Sequence, residues 1–221
     1  MKAVREAVAA KKRRKARSKK TAAAKRRPLT PERIVLAAVK LLDREEFAAF
    51  SMRKLGRVLG VEAMSLYEHF ASKDAILLAV RSHFYRQLDL PTAPDTPWYD
   101  QLGAVMTASY ELGVQHPSYI AVHLHATSVP ESRQRGERDL ALLRGAGFSE
   151  EEAAGALVAL VSYVIGFLHR MVLITPAANP LAGMSRDRAF KLGLDAILRG
   201  LHALAEQGAR RGPGVRKREP R

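Results

Sequence analysis

Residues 51–70, Ser-Met-Arg-Lys-Leu-Gly-Arg-Val-Leu-Gly-Val-Glu-Ala-Met-Ser-Leu-Tyr-Glu-His-Phe, constrain the fold of this 221-residue chain more than any other stretch. Met52, Leu55 and Leu59 recur at three and four residues, which puts them on one helical face, with Arg53, Lys54 and Arg57 pointing elsewhere. Gly60 then ends the helix. A glycine there takes the left-handed conformation without a Cβ clash and turns the chain sharply into a second short helix. The pattern is a helix-turn-helix, and a second helix of this kind can fill a DNA major groove.

The rest of the chain also reads as helix. At Leu29-Thr30-Pro31-Glu32, Thr30 can cap, Pro31 suits the first helical position and Glu32 complements the positive end of the dipole. The spacing of Ile34, Ala38, Leu41 and Leu42 gives that helix an inner face and predicts its end near Glu46. Ser51 and Ser72 are the next caps. The helix from Lys73 carries a stripe of Leu77, Val80, Phe84 and Leu88 that outlasts a small domain and connects it to a second, larger one.

Three prolines between Pro91 and Pro97 make a loop. Beyond it the pattern predicts helices over Trp98–Gln115, Ser118–Ala126, Glu131–Gly145, from the cap Ser149 through Leu168, and over 186–206. Leu157, Leu160, Val161, Val164 and Leu168 recur down the fourth; Leu194, Ile197, Leu198, Leu201 and Leu204 down the fifth. No run alternates as a strand would. The reading is all-α: a basic tail over 1–27, a three-helix domain over 28–88, a helical bundle over 89–208 and a basic tail over 209–221.

The net charge of +15 is concentrated at the ends. Residues 1–27 hold thirteen Lys/Arg and one acid, residues 210–221 six Lys/Arg and one acid, and the stretch between carries −2. A segment of Ala, Lys and Arg with few large apolar groups is expected to be disordered without a partner. It is either a solubilising extension or an arm lying along DNA beside the helix-turn-helix.

Several classes are set aside. The chain has no cysteine, so disulfides and thiolate chemistry are excluded and a reducing cytoplasm is suitable. The apolar run Ala153–Leu168 is short for a membrane span and contains Gly155, Ser162 and Gly166, which favours a buried helix. No phosphate-cradling loop or serine-nucleophile motif is present, and Gly145-Ala-Gly147 follows no strand, so no enzyme or cofactor is expected. Val158, Ile165, Phe167 and Leu192 widen the apolar faces of the last two helices beyond one stripe. A twofold homodimer is the expected cover, a deep intrachain core the alternative.

The motifs Leu29-Thr-Pro-Glu-Arg-Ile, Ser51-Met-Arg-Lys-Leu, Leu59-Gly-Val, Ser65-Leu-Tyr-Glu-His-Phe and Ser72-Lys-Asp-Ala, in this register, resemble the N-terminal domain of the TetR family of transcriptional regulators. More loosely, Trp98, Gln115-His-Pro and Leu143-Arg-Gly-Ala-Gly-Phe resemble the tetracycline-repressor type of regulatory domain. The resemblance implies a dimeric repressor that binds a near-palindromic double-stranded operator and is released by a small-molecule effector bound in the C-terminal bundle. Carried over, Arg53 and Lys73 hold phosphates, Ala63, Met64 and Ser65 face base edges, and Tyr67 and His69 touch the backbone, with Leu66 and Phe70 as core anchors. The apolar pair Ala63-Met64 suits thymine methyls better than guanine. Two residues depart from the family pattern: Glu46 replaces a usual glycine and Gly56 a usual alanine.

The effector pocket is expected to be lined by Tyr110, His123, Tyr163 and Phe167, although aromatic positions in a helical bundle also serve as core. His123 and His125 lie two apart, point in different directions on a helix and lack a third ligand at a recognisable spacing, so no metal site is expected. The competing reading is a structural nucleic-acid-binding protein that grips DNA through its basic tails.

Overall fold

The computed structural model describes residues 28–90, 93, 95–125, 128–170 and 183–211, with side chains to 208 in the last stretch. The expected tail at 1–27 lies outside the described residues, as does all of the expected tail at 209–221 except 209–211, which are helical. Within them the chain is helical: α1 Pro31–Leu42, a 3-10 turn Phe47–Ala49, α2 Met52–Leu59, α3 Ala63–Tyr67, α4 Lys73–Gln87, α5 Trp98–Gln115, α6 Ser118–His125, α7 Pro130–Gly145, α8 Glu150–Leu168 and α9 Arg186–Arg211.

Side-chain caps start the helices where the sequence predicts. Thr30, Ser51 and Ser72 each accept a hydrogen bond from the backbone N–H three residues on, at 3.3, 3.3 and 3.0 Å. At α8 the cap is reciprocal: Glu152 accepts from the N–H and hydroxyl of Ser149 at 2.8 and 2.6 Å, which ties this acid to the helix start. Such ends satisfy amides that have no partner inside the helix.

α1 to α3 form the small domain. Ile34, Ala38, Leu55, Leu66, Ile76 and Val80 are all fully buried and make its core. α4 packs on α1 and then continues to α6 and α7, so it belongs to both domains, as the long stripe predicts. α1 is shorter than expected. It ends at Leu42 rather than near Glu46; Asp43 caps it with helical backbone and sends its carboxylate to the far domain.

The larger bundle is built on α5, α7, α8 and α9. Ala153, Ala156, Leu160, Val164 and Leu168 line the buried face of α8. Among the described residues α8 is the one helix long and apolar enough to cross a membrane, and here that face packs against α5, α7 and α9. The chain itself half-buries Ile165 and Phe167. Val158, Leu192 and Leu204 are left 65, 62 and 56% exposed on α8 and α9. α9 extends to Arg211, beyond the end at 206 that its apolar pattern marks.

Candidate nucleic-acid interface and its link to the bundle

Gly60 adopts φ +69°, the left-handed turn that separates α2 from α3. Gly56 is needed for a different reason. A Cβ on it would lie 2.9 Å from the carbonyl oxygen of Val61, so the missing side chain lets α2 approach the turn closely, and Val61 N–H donates to Gly56 C=O at 2.9 Å. The departure from the usual alanine thus tightens the joint that aims α3.

α3 has only five residues, and they divide sharply. Leu66 is fully buried, while Met64 is 72% exposed, more than any other large apolar side chain among the described residues. Tyr67 and His69 are exposed, Ala63 and Ser65 half-buried, and Phe70 half-buried against the core. Arg53 is exposed near the start of α2. Lys73 opens α4 with its ammonium 5.8 Å from the centre of the Phe50 ring. A cation at the positive end of a helix is unfavourable unless an anion meets both. Arg53, Ala63, Met64, Ser65, Tyr67, His69 and Lys73 therefore lie on or beside one short helix and its two flanking helix starts.

Three of the four predicted effector residues lie together, and His123 lies apart from them. Tyr110 stacks on Phe190 at 4.0 Å, with Tyr163 and Phe167 packed on the same ring at 5.5 and 5.4 Å. Tyr110 donates to Asp187 at 2.6 Å and Tyr163 to the carbonyl of Phe190 at 2.9 Å, and burial pushes both phenols up. This cluster pins the start of α9. His123 instead lines a cavity of about 60 Å³ together with Tyr85, Met106, Ser109, Tyr119 and Ile165.

Beside that cavity α6 is fastened to the small domain at both ends. At its start, Asp43 accepts from His116 Nδ1 at 2.7 Å and from the N–H and hydroxyl of Ser118 at 3.2 and 2.6 Å. At its end, the carbonyl of His123 accepts from Arg81 at 2.8 Å, His123 Nδ1 lies 3.2 Å from Tyr85 Oη, and His125 stacks on Phe47 at 4.6 Å. The three histidines serve as joints, and no group of three metal-ligating side chains occurs among the described residues. Sequence reasoning missed Asp43, Phe47 and Arg81, whose partners lie more than forty positions away.

Burial, and then the Arg81 guanidinium, holds His123 down to about 4. Because the folded state keeps this imidazole neutral while the unfolded chain takes up a proton near 6.5, its contribution to stability is full above pH 6.5 and is lost as pH falls toward 4. The wild-type protein should lose more denaturant resistance between pH 7.5 and 5 than His123→Gln does. Equal losses would mean that His123 is not the group titrated.

Comparison with known proteins bears on both halves of this geometry. Residues 34–80 match the family model described as bacterial regulatory proteins, tetR family, and residues 90–170 that of a tetracyclin repressor-like C-terminal domain. An HTH-type transcriptional regulator of Saccharopolyspora erythraea is 34% identical over 62% of this chain, and the match spans only 59% of that protein. Mycobacterium smegmatis BioQ is 30% identical, with 80% of this chain and 99% of that one covered at a TM-score of 0.66. BioQ with its natural double-stranded DNA operator superposes at 0.62 with 28% identity over 80 and 99% of the two chains. Streptomyces coelicolor ActR in complex with actinorhodin is 26% identical over 81 and 99% of the two chains, at 0.65.

Proposed function

Because the chain belongs to the TetR family of bacterial regulatory proteins, we propose that it is a dimeric transcriptional repressor, binding a near-palindromic operator through residues 51–70 and released by a small molecule. One observation carries the reading: a five-residue helix whose Leu66 is fully buried presents Met64 at 72% exposure, between the helix starts that carry Arg53 and Lys73. A helix so anchored can enter a groove while the flanking cations hold phosphates. Val158, Leu192 and Leu204 are the apolar groups a partner subunit covers, giving the twofold symmetry that a palindrome requires. The work is cytoplasmic, where a bacterial chromosome lies.

Release is coupled to the His123 cavity. Ligand pockets usually measure about 300–1,000 Å³, so a cavity of about 60 Å³ must be widened by whatever enters it. Two of its walls, Tyr85 on α4 and His123 on α6, are bonded to one another, and α6 is held to Asp43 at its other end. Displacing α6 therefore strains the joint with the small domain, which lowers affinity for DNA in proportion to the ligand's preference for the widened state.

Selection from a random pool of duplexes tests the reading. The full chain should enrich a twofold-symmetric site, Met64→Leu should keep it, and Met64→Lys should lose the preference. An unchanged profile for Met64→Lys would place base readout elsewhere. Enrichment of no sequence at all would favour the structural nucleic-acid-binding protein.

A further inference from the structure

The grip on DNA has a source beyond α3. Residues 28–90 hold nine Lys/Arg and eight Asp/Glu, a net charge of only +1, and residues 91–209 hold nine Lys/Arg against twelve acids. The reading helix is bracketed by exposed Glu62 and Glu68, and Lys54 is paired with Glu45. A duplex presents one negative charge per roughly 1.7 Å, and neutralising phosphates supplies much of the affinity of DNA-binding proteins. The folded domain is poorly equipped for that task. Residues 1–27, with thirteen Lys/Arg and one acid, are equipped for it.

The point of attachment decides where those charges can act. Pro28 and Thr30 share one surface groove with Val58 and Leu59, the last two residues of α2 before the Gly60 turn into α3. The tail thus joins the fold beside the reading head, not at the remote end of the bundle. A segment of 27 residues spans at most about 90 Å when extended, more than two duplex turns of roughly 34 Å.

We propose that residues 1–27 are a second DNA-binding element, an arm that meets the phosphates of the duplex flanking the half-site read by α3 and supplies most of the electrostatic affinity. The proposal rests on the DNA-binding reading above. Its contacts are to phosphate, so they raise affinity without discriminating sequence, and α3 retains the discrimination.

The test uses the full chain and a full-length variant with the thirteen Lys/Arg of residues 1–27 changed to Gln, which leaves every described core residue in place. Binding to the duplex enriched by the wild-type chain, and to a scrambled duplex of equal length, is titrated from 50 to 200 mM salt; a chain starting at Pro28 repeats the measurement. Each lost phosphate contact lowers the slope of log affinity against log salt by about 0.9. The Gln variant should lose at least tenfold on both duplexes, with a slope shallower by about three units or more and an unchanged ratio between the duplexes. Unchanged affinity and slope would overturn the arm, and so would a loss confined to the enriched duplex. If the full chain prefers neither duplex while the Gln variant still loses affinity and slope, the arm stands and the repressor reading falls.

Discussion

Asp139→Ala is expected to lower the stability of the regulatory domain by about 3–5 kcal/mol. Asp139 is 3% exposed and sits on α7 one helical turn from Arg135, whose side chain is 10% exposed. Arg135 Nε donates to both carboxylate oxygens at 3.0 and 3.2 Å, Nη2 to one at 2.5 Å, and Nη1 reaches the carbonyl of Leu88 at 3.2 Å. Burial pushes the carboxyl up, while this guanidinium, and more weakly Arg138, pull it back. Alanine would leave the guanidinium desolvated with a single carbonyl partner, and the loss of its counter-charge sets the size of the effect. Trp98, which packs edge-on against Phe148, is the chain's single tryptophan and reports unfolding of this domain. Its denaturant midpoint should fall sharply in Asp139→Ala but return to within about 1 kcal/mol of wild type in Arg135→Met/Asp139→Leu, where no charge is buried. A single variant as stable as wild type would show that the pair is solvated.

The helix starts were legible because capping is local: Thr30, Ser51, Ser72 and Ser149 each act on an amide three residues away. Gly60 and the anchor Leu66 were legible for the same reason, since a turn and a 3.6-residue period are written within one short window. The end of α1 was not. The carboxylate of Asp43, the capping residue, binds partners 73 and 75 positions away, and no pattern near residue 43 records them. The split of the effector residues, three on Phe190 and His123 elsewhere, has a related cause. Tyr110, Tyr163 and Phe167 are aromatic groups on helical stripes, and sequence alone cannot distinguish three rings that pack on Phe190 from three that line a void. His123 lines a cavity, and there its neighbour Tyr85 arrives from the connecting helix.

Leu66→Ala should abolish sequence-selective DNA binding, by at least about a hundredfold, while the regulatory domain stays folded. Large-to-small changes at fully buried leucines cost about 2–5 kcal/mol, and Leu66 is the sole buried residue of α3. Losing it removes the anchor of a helix too short to persist alone, since isolated helices below about 12 residues are marginal in water. The carbonyl of Leu66 also accepts from the N–H groups of His69 and Phe70 at 3.1 and 2.9 Å, so fraying would disperse the Tyr67 and His69 contacts as well. The expected signature is local. Hydrogen exchange should rise across residues 52–70, and the Trp98 unfolding midpoint should stay near wild type because α3 makes no major contact with α5 to α9. Met64→Ala is the matched control: at 72% exposure it should change stability by less than about 0.5 kcal/mol, yet weaken readout where the groove presents thymine methyls. Should Leu66→Ala bind the enriched duplex within threefold of wild type, α3 could not be the element that reads sequence, and the exposed Met64 would be surface rather than site.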